Sequence, residues 1–319
     1  MRRAVVLAAL LALTAPPVAA AADYPVRDVE MIVSFPAGGP ADASARILAP
    51  RLSQLLGVPI AVVNKTGGGG SVGADYVAKA RPDGSVIYNS TNAAFTISPL
   101  VLKDVTYKTG DFTPIGAYAA DLGVVTVRSG GPARTLEAFV DHAKKNPGKL
   151  TYGSAGLGTV SFFTMELFKG AFGIDVTHVP FQGTGPVKNA ILGGHVNVAT
   201  SGFGSLAPLI RSGDLIPLVT TAPKRLADFP QVPTMAEQGF PEASLNIWMG
   251  IYVPARTPKA VVDALTRGFN QAAKDPAVVG ALDKAGMQAF YHTGEETARL
   301  LAQEAAVVAK VADKLGLRK

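Results

Sequence analysis

Residues 29–56 read VEMIVSFPAGGPADASARILAPRLSQLL. Val29 to Phe35 is a short apolar run, partly β-branched. Pro36-Ala37-Gly38-Gly39-Pro40 follows it. The pattern predicts a strand, a glycine loop and then a helix. Pro40 suits the first helical position, and Asp42 would sit in the positively polarised first turn. Ile47, Leu48, Leu52, Leu55 and Leu56 give that helix one apolar face, with a bend expected at Pro50.

The same order recurs downstream. Ile60 to Asn64 reads as a strand, Lys65 to Gly70 as a second glycine loop and Ser71 to Ala80 as a helix. Arg81-Pro82-Asp83-Gly84 is a turn, and Ser85 to Ser90 a third strand. A second block has strands at Leu122–Val127, Leu150–Gly153, Val176–Pro180, Val196–Ser201 and Ile216–Thr221. Helices are expected at Thr135–Lys145, from Thr159 to about Ala171, and at Val187–Leu192. Leu245 to Val253 reads as a strand leading to C-terminal helices at Pro258–Lys274 and Glu295–Leu315. This alternation predicts mostly parallel sheets covered on both faces. Two such blocks, with a late segment returning to the first, point to two lobes and a cleft.

Four strand-to-helix junctions, 36–41, 65–72, 154–160 and 182–187, are rich in Gly, Ser and Thr. A helix N-terminus carries unpaired N–H groups and partial positive charge, and glycine lets a ligand approach the backbone. In α/β sheets such junctions lie where ligands bind. Singly each is a tight turn; together they point to an anion site without Arg or Lys.

Other chemistry finds less support. The chain has no cysteine, which excludes disulfides, thiolate metal sites, thiol catalysis and a lipid anchor on an N-terminal cysteine. No cofactor is expected. His142, His178, His195 and His292 form no HxH or HExxH pair, so no metal site is expected. His292 reads as a turn residue. Gly156-Leu157-Gly158 begins a dinucleotide fingerprint, but Ser161 stands where its third glycine belongs. Gly69-Gly70-Ser71-Val72-Gly73 matches the string of a hydrolase nucleophile elbow. A loop separates Ser71 from the preceding strand, so it reads as a helix cap. A secreted serine hydrolase using Ser71 is the alternative from another class. Asp42 and Arg46 read as an i,i+4 ion pair that also fixes the first loop. Trp248 packs in the core or lines the cleft near a hinge.

At 319 residues, 48% hydrophobic and 17% charged, the chain can build a full core. The net charge is +6, but the basic residues are scattered, and no nucleic-acid partner is expected. Met1-Arg2-Arg3, the apolar stretch Ala4–Thr14 and the small residues Ala19–Ala22 form a secretory signal pattern. Cleavage fits Ala20, Ala21 or Ala22, with Ala22 the expected site.

Taken in order and spacing, several segments resemble the receptors of tripartite tricarboxylate transporters, the Bug receptors. They are IVSFPAGGPADASAR (32–46), VVNKTGGGGSVGADYVAKARPDG (62–84), LTYGSAGLGT (150–159) and HVPFQGTGP (178–186). PQVPTMAEQGFP (230–241), Trp248-Met249-Gly250 and VPARTP (253–258) complete the set. The resemblance implies an α/β, two-lobed periplasmic-binding-protein fold with the ligand cleft between lobes and two crossing hinge strands. It implies a non-enzymatic periplasmic receptor for a small organic carboxylate, serving tripartite tricarboxylate-type membrane subunits. A carboxylate sensor without a permease would share the fold. Carried over by position, the ligand contacts are Phe35, Pro36, Ala37, Gly38, Pro40, Ala41, Gly67, Gly68, Ser71 and Ser90 in the first lobe. In the second they are Ser154, Gly158, Thr159, Gln182, Gly183 and Ser201. No residue is assigned a catalytic role. The expected organisation is a signal peptide over 1–22, lobe 1 over 23–123 and 246–319, and lobe 2 over 124–245. A monomer suffices for this function.

The chain departs from the family at Asn64-Lys65-Thr66-Gly67, where Asn-Arg-Pro-Gly is common. It lacks the acidic residue often found near Ser201, which favours plain carboxylates over amino acids. Phe162 and Phe163 would favour an aromatic or aliphatic acid if they faced the cleft.

Overall fold

The computed structural model describes Tyr24 and residues 28–319. The expected signal segment and its cleavage after Ala22 lie outside the described residues.

The opening motif folds as strand β1 (Val29–Val33), a loop and helix α1 (Pro40–Leu56). Gly57 ends α1 in the left-handed region, φ 72°, and its N–H bonds the Ser53 carbonyl. The helix continues through Pro50. Strand β2 (Ile60–Asn64), helix α2 (Ser71–Ala78) and strand β3 (Val86–Thr91) follow, then two short helices, α3 (Ala93–Thr96) and α4 (Ser98–Val101). Strand β4 (Phe112–Asp121) passes through Leu122 into β5 (Gly123–Arg128). Next come α5 (Leu136–Lys145), β6 (Thr151–Ser154), α6 (Val160–Phe172), β7 (Thr177–Pro180) and α7 (Thr184–Leu192). Then β8 (Val198–Gly202), α8 (Phe203–Arg211) and β9 (Leu215–Thr220) complete that block. Strand β10 (Ile247–Pro254), α9 (Lys259–Ala273), α10 (Pro276–Lys284), β11 (Gln288–Thr293) and α11 (Gly294–Lys314) end the chain.

The strands form two sheets. One is six-stranded, in the order β11-β4-β10-β3-β1-β2; the other is five-stranded, β7-β6-β8-β5-β9. The late segment therefore returns to the first sheet through β10. The expectation of mostly parallel sheets is corrected, since among the described residues only four of nine strand pairings are parallel. The reason lies in the crossings. A strand that enters a lobe from the cleft must run away from it, against the strands whose ends carry the loops. β5 and β10 are those entering strands, and they account for four of the five antiparallel pairs. His292 lies in β11, not in a turn.

The two crossings touch. The Thr221 hydroxyl accepts from the Gly123 N–H (2.7 Å) and donates to Asn246 Oδ1 (2.6 Å). Asn92 bonds the Asn246 carbonyl (3.1 Å) and accepts from the Trp248 N–H (3.2 Å). Glu304 on α11 is buried here and accepts from Asn92, Thr96 and the Trp248 indole. Burial raises its carboxyl above the ordinary value. Trp248 thus packs in the core at the hinge, and its neighbour Ile247 faces the cleft. Phe162 and Phe163 are core residues, 4% and 0% exposed, and carry no information about the ligand.

Candidate functional site

In the first loop, Gly38 takes φ 83°, a conformation that suits glycine. Asp42, in the first turn of α1, accepts from the Gly38 N–H (3.0 Å), from Asn64 Nδ2 (2.9 Å) and from Arg46. Asn64 also donates to the Phe35 carbonyl at 2.8 Å. Burial pushes the Asp42 carboxyl up, but these hydrogen bonds and the Arg46 charge outweigh it and hold it below the ordinary carboxylate value. The 42–46 ion pair, 2.9 Å long, therefore does fix the loop. The N-cap is Gly39, which has no side chain to occupy the first helical amides.

The second lobe builds its loop from hydroxyls. Thr159 caps α6 by accepting from the Phe162 N–H at 3.4 Å, while its own hydroxyl donates to the Gly156 carbonyl at 2.6 Å. Ser161 Oγ accepts from the Ala155 N–H (3.1 Å). The Ser154 hydroxyl pairs with His178 Nε2 (2.7 Å) and accepts from the Gly156 N–H (3.3 Å). His178 stacks on Tyr152 and touches Phe162. Burial holds its imidazole below the ordinary value; nearby Glu166 opposes that shift and Lys169 adds to it.

These loops converge. A cavity of about 520 Å³, counting its open mouth, is walled by Gly39, Pro40 and Ala41 from the start of α1. Thr159, Val160 and Ser161 from the start of α6, and Thr184 and Gly185 from the start of α7, face them. Phe35, Pro36, Ala155 and Ser201 add wall, and the hinge contributes Thr91, Ala93 and Ile247. Ser201 and Thr184 share a hydroxyl hydrogen bond of 3.1 Å. A smaller hollow adjoins it, sharing Phe35, Pro36 and Ala155 and adding Ser34, Thr66, Gly67, Gly69, Gly70, Gln182 and Gly183.

Of the residues expected from sequence, Phe35, Pro36, Pro40, Ala41, Thr159 and Ser201 face the main cavity. Gly67, Gln182 and Gly183 line the smaller hollow. The other seven line neither. Ala37 and Gly38 are exposed on the turn. Ser90 is buried in β3, with its hydroxyl on the Thr91 carbonyl. Ser154 is buried behind its loop. Gly68 packs against Ser71, where a Cβ would lie 2.2 Å from the hydroxyl. Gly158 is clasped between the lobes: the Ser98 hydroxyl reaches its carbonyl at 3.1 Å and that of Gly69 at 3.3 Å. Ser71 is the first residue of α2, behind the cap residue Gly70, which corrects its reading as the cap. A turn at 68–70 separates it from β2. Among the described residues no histidine hydrogen-bonds to it; His178 is engaged by Ser154.

Sequence reasoning missed Gly39, Ala155, Val160, Thr184 and Gly185, all within loops it had singled out, and Ser161, one residue beyond the third of them. It also missed Thr91, Ala93 and Ile247, for which the local sequence carries no signal.

A buried carboxyl lies under the crossing. Asp121 Oδ1 accepts from the Gly204 N–H near the start of α8 at 2.8 Å, while Oδ2 has no partner. Burial pushes this carboxyl up to about 7, against the lowering effect of the Gly204 bond.

Residues 44–317 match the model of the tripartite tricarboxylate transporter family receptor. The chain belongs to this family. Its fold is similar to that of the periplasmic binding protein BugD, with TM-score 0.86 and 31% identity over 93% of this chain and 100% of that one. An R. palustris protein with adipate gives TM-score 0.87 at 29% identity, covering 92% of this chain and 99% of its own. MatC from Rhodopseudomonas palustris, with bound malate, gives 0.85 at 28%, covering 90% and 99%. The chain is accordingly an α/β, two-lobed solute-binding receptor of the Bug type and not an enzyme, so the Ser71 hydrolase alternative falls.

Proposed function

We propose that this receptor works in the periplasm, closing two lobes on a small organic carboxylate and delivering it to tripartite tricarboxylate-type membrane subunits. The observation that carries this reading is the meeting of three helix N-termini, those of α1, α6 and α7, in one cavity. Each brings the partial positive charge of a helix start to the same space, which favours an anion. The ligands of the two R. palustris neighbours are carboxylates, which supports the class.

In this reading lobe 1 comprises residues 23–123 and 246–319, and lobe 2 residues 124–245. Signal cleavage follows Ala22, and the mature chain works as a monomer. Phe35, Pro36, Pro40, Ala41, Thr159, Gln182, Gly183 and Ser201 contact the ligand. Ser154 and Gly158 act by shaping the loop. A ligand that touches both lobes favours the closed state through those contacts alone.

The test is thermal unfolding of the refolded mature protein against mono-, di- and tricarboxylates and aromatic acids. A saturable rise in melting temperature for one class supports the reading, because a ligand that binds the native state stabilises it. Thr159→Ala and Ser154→Ala should bind the active acid more weakly while still folding. Unchanged affinity in both would sink the second-lobe half of the site.

A further inference from the structure

Lobe 2 carries another hollow, on the side away from the cleft. Strand β5 enters the lobe at Gly123 and ends at Arg128, about 17 Å of strand farther on. There a cavity of about 470 Å³, counting its open mouth, lies between the end of β5, helix α5 and the turn before β8. It shares no residue with either hollow of the cleft. Phe139, Leu150 and Val196 line it, and all three are buried side chains that form an apolar floor. A concave apolar floor with a few polar groups at its edge is the usual form of a small-ligand site.

Three donors stand at that edge. Arg46, Arg211 and Arg225 each pair with a carboxylate, but the Arg128 side chain has no ion pair or hydrogen bond among the described residues. Its guanidinium lies against Gly194, where a Cβ would stand 3.2 Å from the central carbon and 3.3 Å from each terminal nitrogen. Gly194 takes φ 73°, so glycine both makes the turn and leaves the guanidinium its place. His142 on α5 is half-buried, and its imidazole has no partner among the described residues. Asn197 Oδ1 accepts from the Thr151 amide (2.8 Å) and hydroxyl (3.2 Å), which fixes the side chain and leaves its NH2 group free. Among the described residues no carboxylate lines the hollow. A guanidinium fork matches a carboxylate in two hydrogen bonds. The floor beside it has no use for a second charge and would cover an apolar body.

We propose that this hollow is a second anion site, separate from the cleft, for a small carboxylate with a compact apolar body. Arg128 takes the carboxylate, His142 and Asn197 donate beside it, and the body covers Phe139, Leu150 and Val196.

Amide NMR of the refolded mature protein, titrated with benzoate and with hexanoate, tests this. The Gly194 and Asn197 amides should shift saturably with at least one of the two acids. Arg128 is exposed, so Arg128→Met should keep the melting temperature. It should weaken the binding read at Gly194 by about tenfold or more, the scale of a lost charge-assisted hydrogen bond, and leave the response of the Thr159 amide in the cleft unchanged. Arg128→Lys should lose less, because an ammonium keeps the charge without the fork. Benzamide binding as tightly as benzoate would remove the charge from the argument, and inorganic phosphate binding as tightly would remove the apolar body; either overturns the assignment. A glutamate-bearing peptide that shifts these amides at lower concentration than both acids would make this face a protein-docking surface, and overturns it as well. No saturable shift at Gly194 and Asn197 with either acid overturns it outright. Each of these results leaves the cleft reading untouched.

Discussion

The two lobes present helix starts to the same cavity but build them from different chemistry. In the first lobe a buried carboxylate, Asp42, gathers the Gly38 amide, Asn64 and Arg46, and the cap residue is a glycine. In the second lobe neutral hydroxyls do the work, with Thr159 capping α6, Ser161 holding Ala155 and Ser154 linked to His178. Both bring a helix start to the cleft wall, that of α1 without a side-chain cap and that of α6 with the Phe162 amide taken by Thr159. A helix N-terminus can thus be kept available by an ionic clasp beside it or by a hydroxyl network behind it. The two differ in strength and in their response to acid. A third start, that of α8, leans on Asp121, a carboxyl with one bare oxygen.

The largest expected effect contrasts the two aspartates. The Asp121 carboxyl is raised from an ordinary 3.8 to about 7. A raised acid stabilises the fold below its unfolded value, and that contribution is lost as pH rises through about 7. A shift of this size corresponds to roughly 4 kcal/mol at most. Urea midpoints measured from pH 4 to 8 should therefore decline toward pH 8 and flatten in Asp121→Asn. An equal decline in the variant would remove Asp121 from the comparison.

Asp42→Ala should come next. It strips an acceptor from the Gly38 amide, Asn64 and Arg46, and a charge-assisted set of this kind is worth about 2 kcal/mol once the exposure of Arg46 is discounted. Thr159→Ala should cost about 1 kcal/mol, the usual value of an N-cap. Denaturant titration of both variants gives the ranking, and equal losses would erase the distinction between ionic and hydroxyl clasps.

The subtlest prediction concerns acid. A lowered imidazole costs stability as pH falls below its ordinary value of 6.5, because the unfolded chain takes up the proton first. Asp42, also lowered, keeps its clasp until pH falls below 3.8. As pH falls from 6.5 toward 3.8, urea midpoints should therefore decline through His178 while the Asp42 contribution is retained, and His178→Gln should abolish that decline where Asp42→Asn should not. An equal decline in the His178 variant would contradict the contrast.

The residues show why part of this was legible. Strand–loop–helix order around Pro36–Pro40 and Ser154–Thr159 is local, set by β-branched runs, glycines and caps, and β2 was read with its bounds intact. The strand Phe112–Asp121 was missed, because it is paired on both sides and buried almost throughout, so it lacks alternation. The β11 strand was missed because its pairing with β4 is made far along the chain. Phe162 and Phe163 could not be assigned to cleft or core, since helical spacing does not say which neighbour a face meets.

The amino-acid order by itself determined the α/β alternation, the glycine loops and their suitability for an anion, because these follow from backbone preference over a few residues. The tertiary structure alone decided which helix starts share one cavity, and that Thr91, Ala93 and Ile247 close its hinge side. It alone placed Asp121 bare beneath the crossing and turned β5 and β10 against their neighbours. Those outcomes depend on contacts between residues far apart in the chain, such as Asn92 with Trp248 and Asp121 with Gly204, and no local pattern records them.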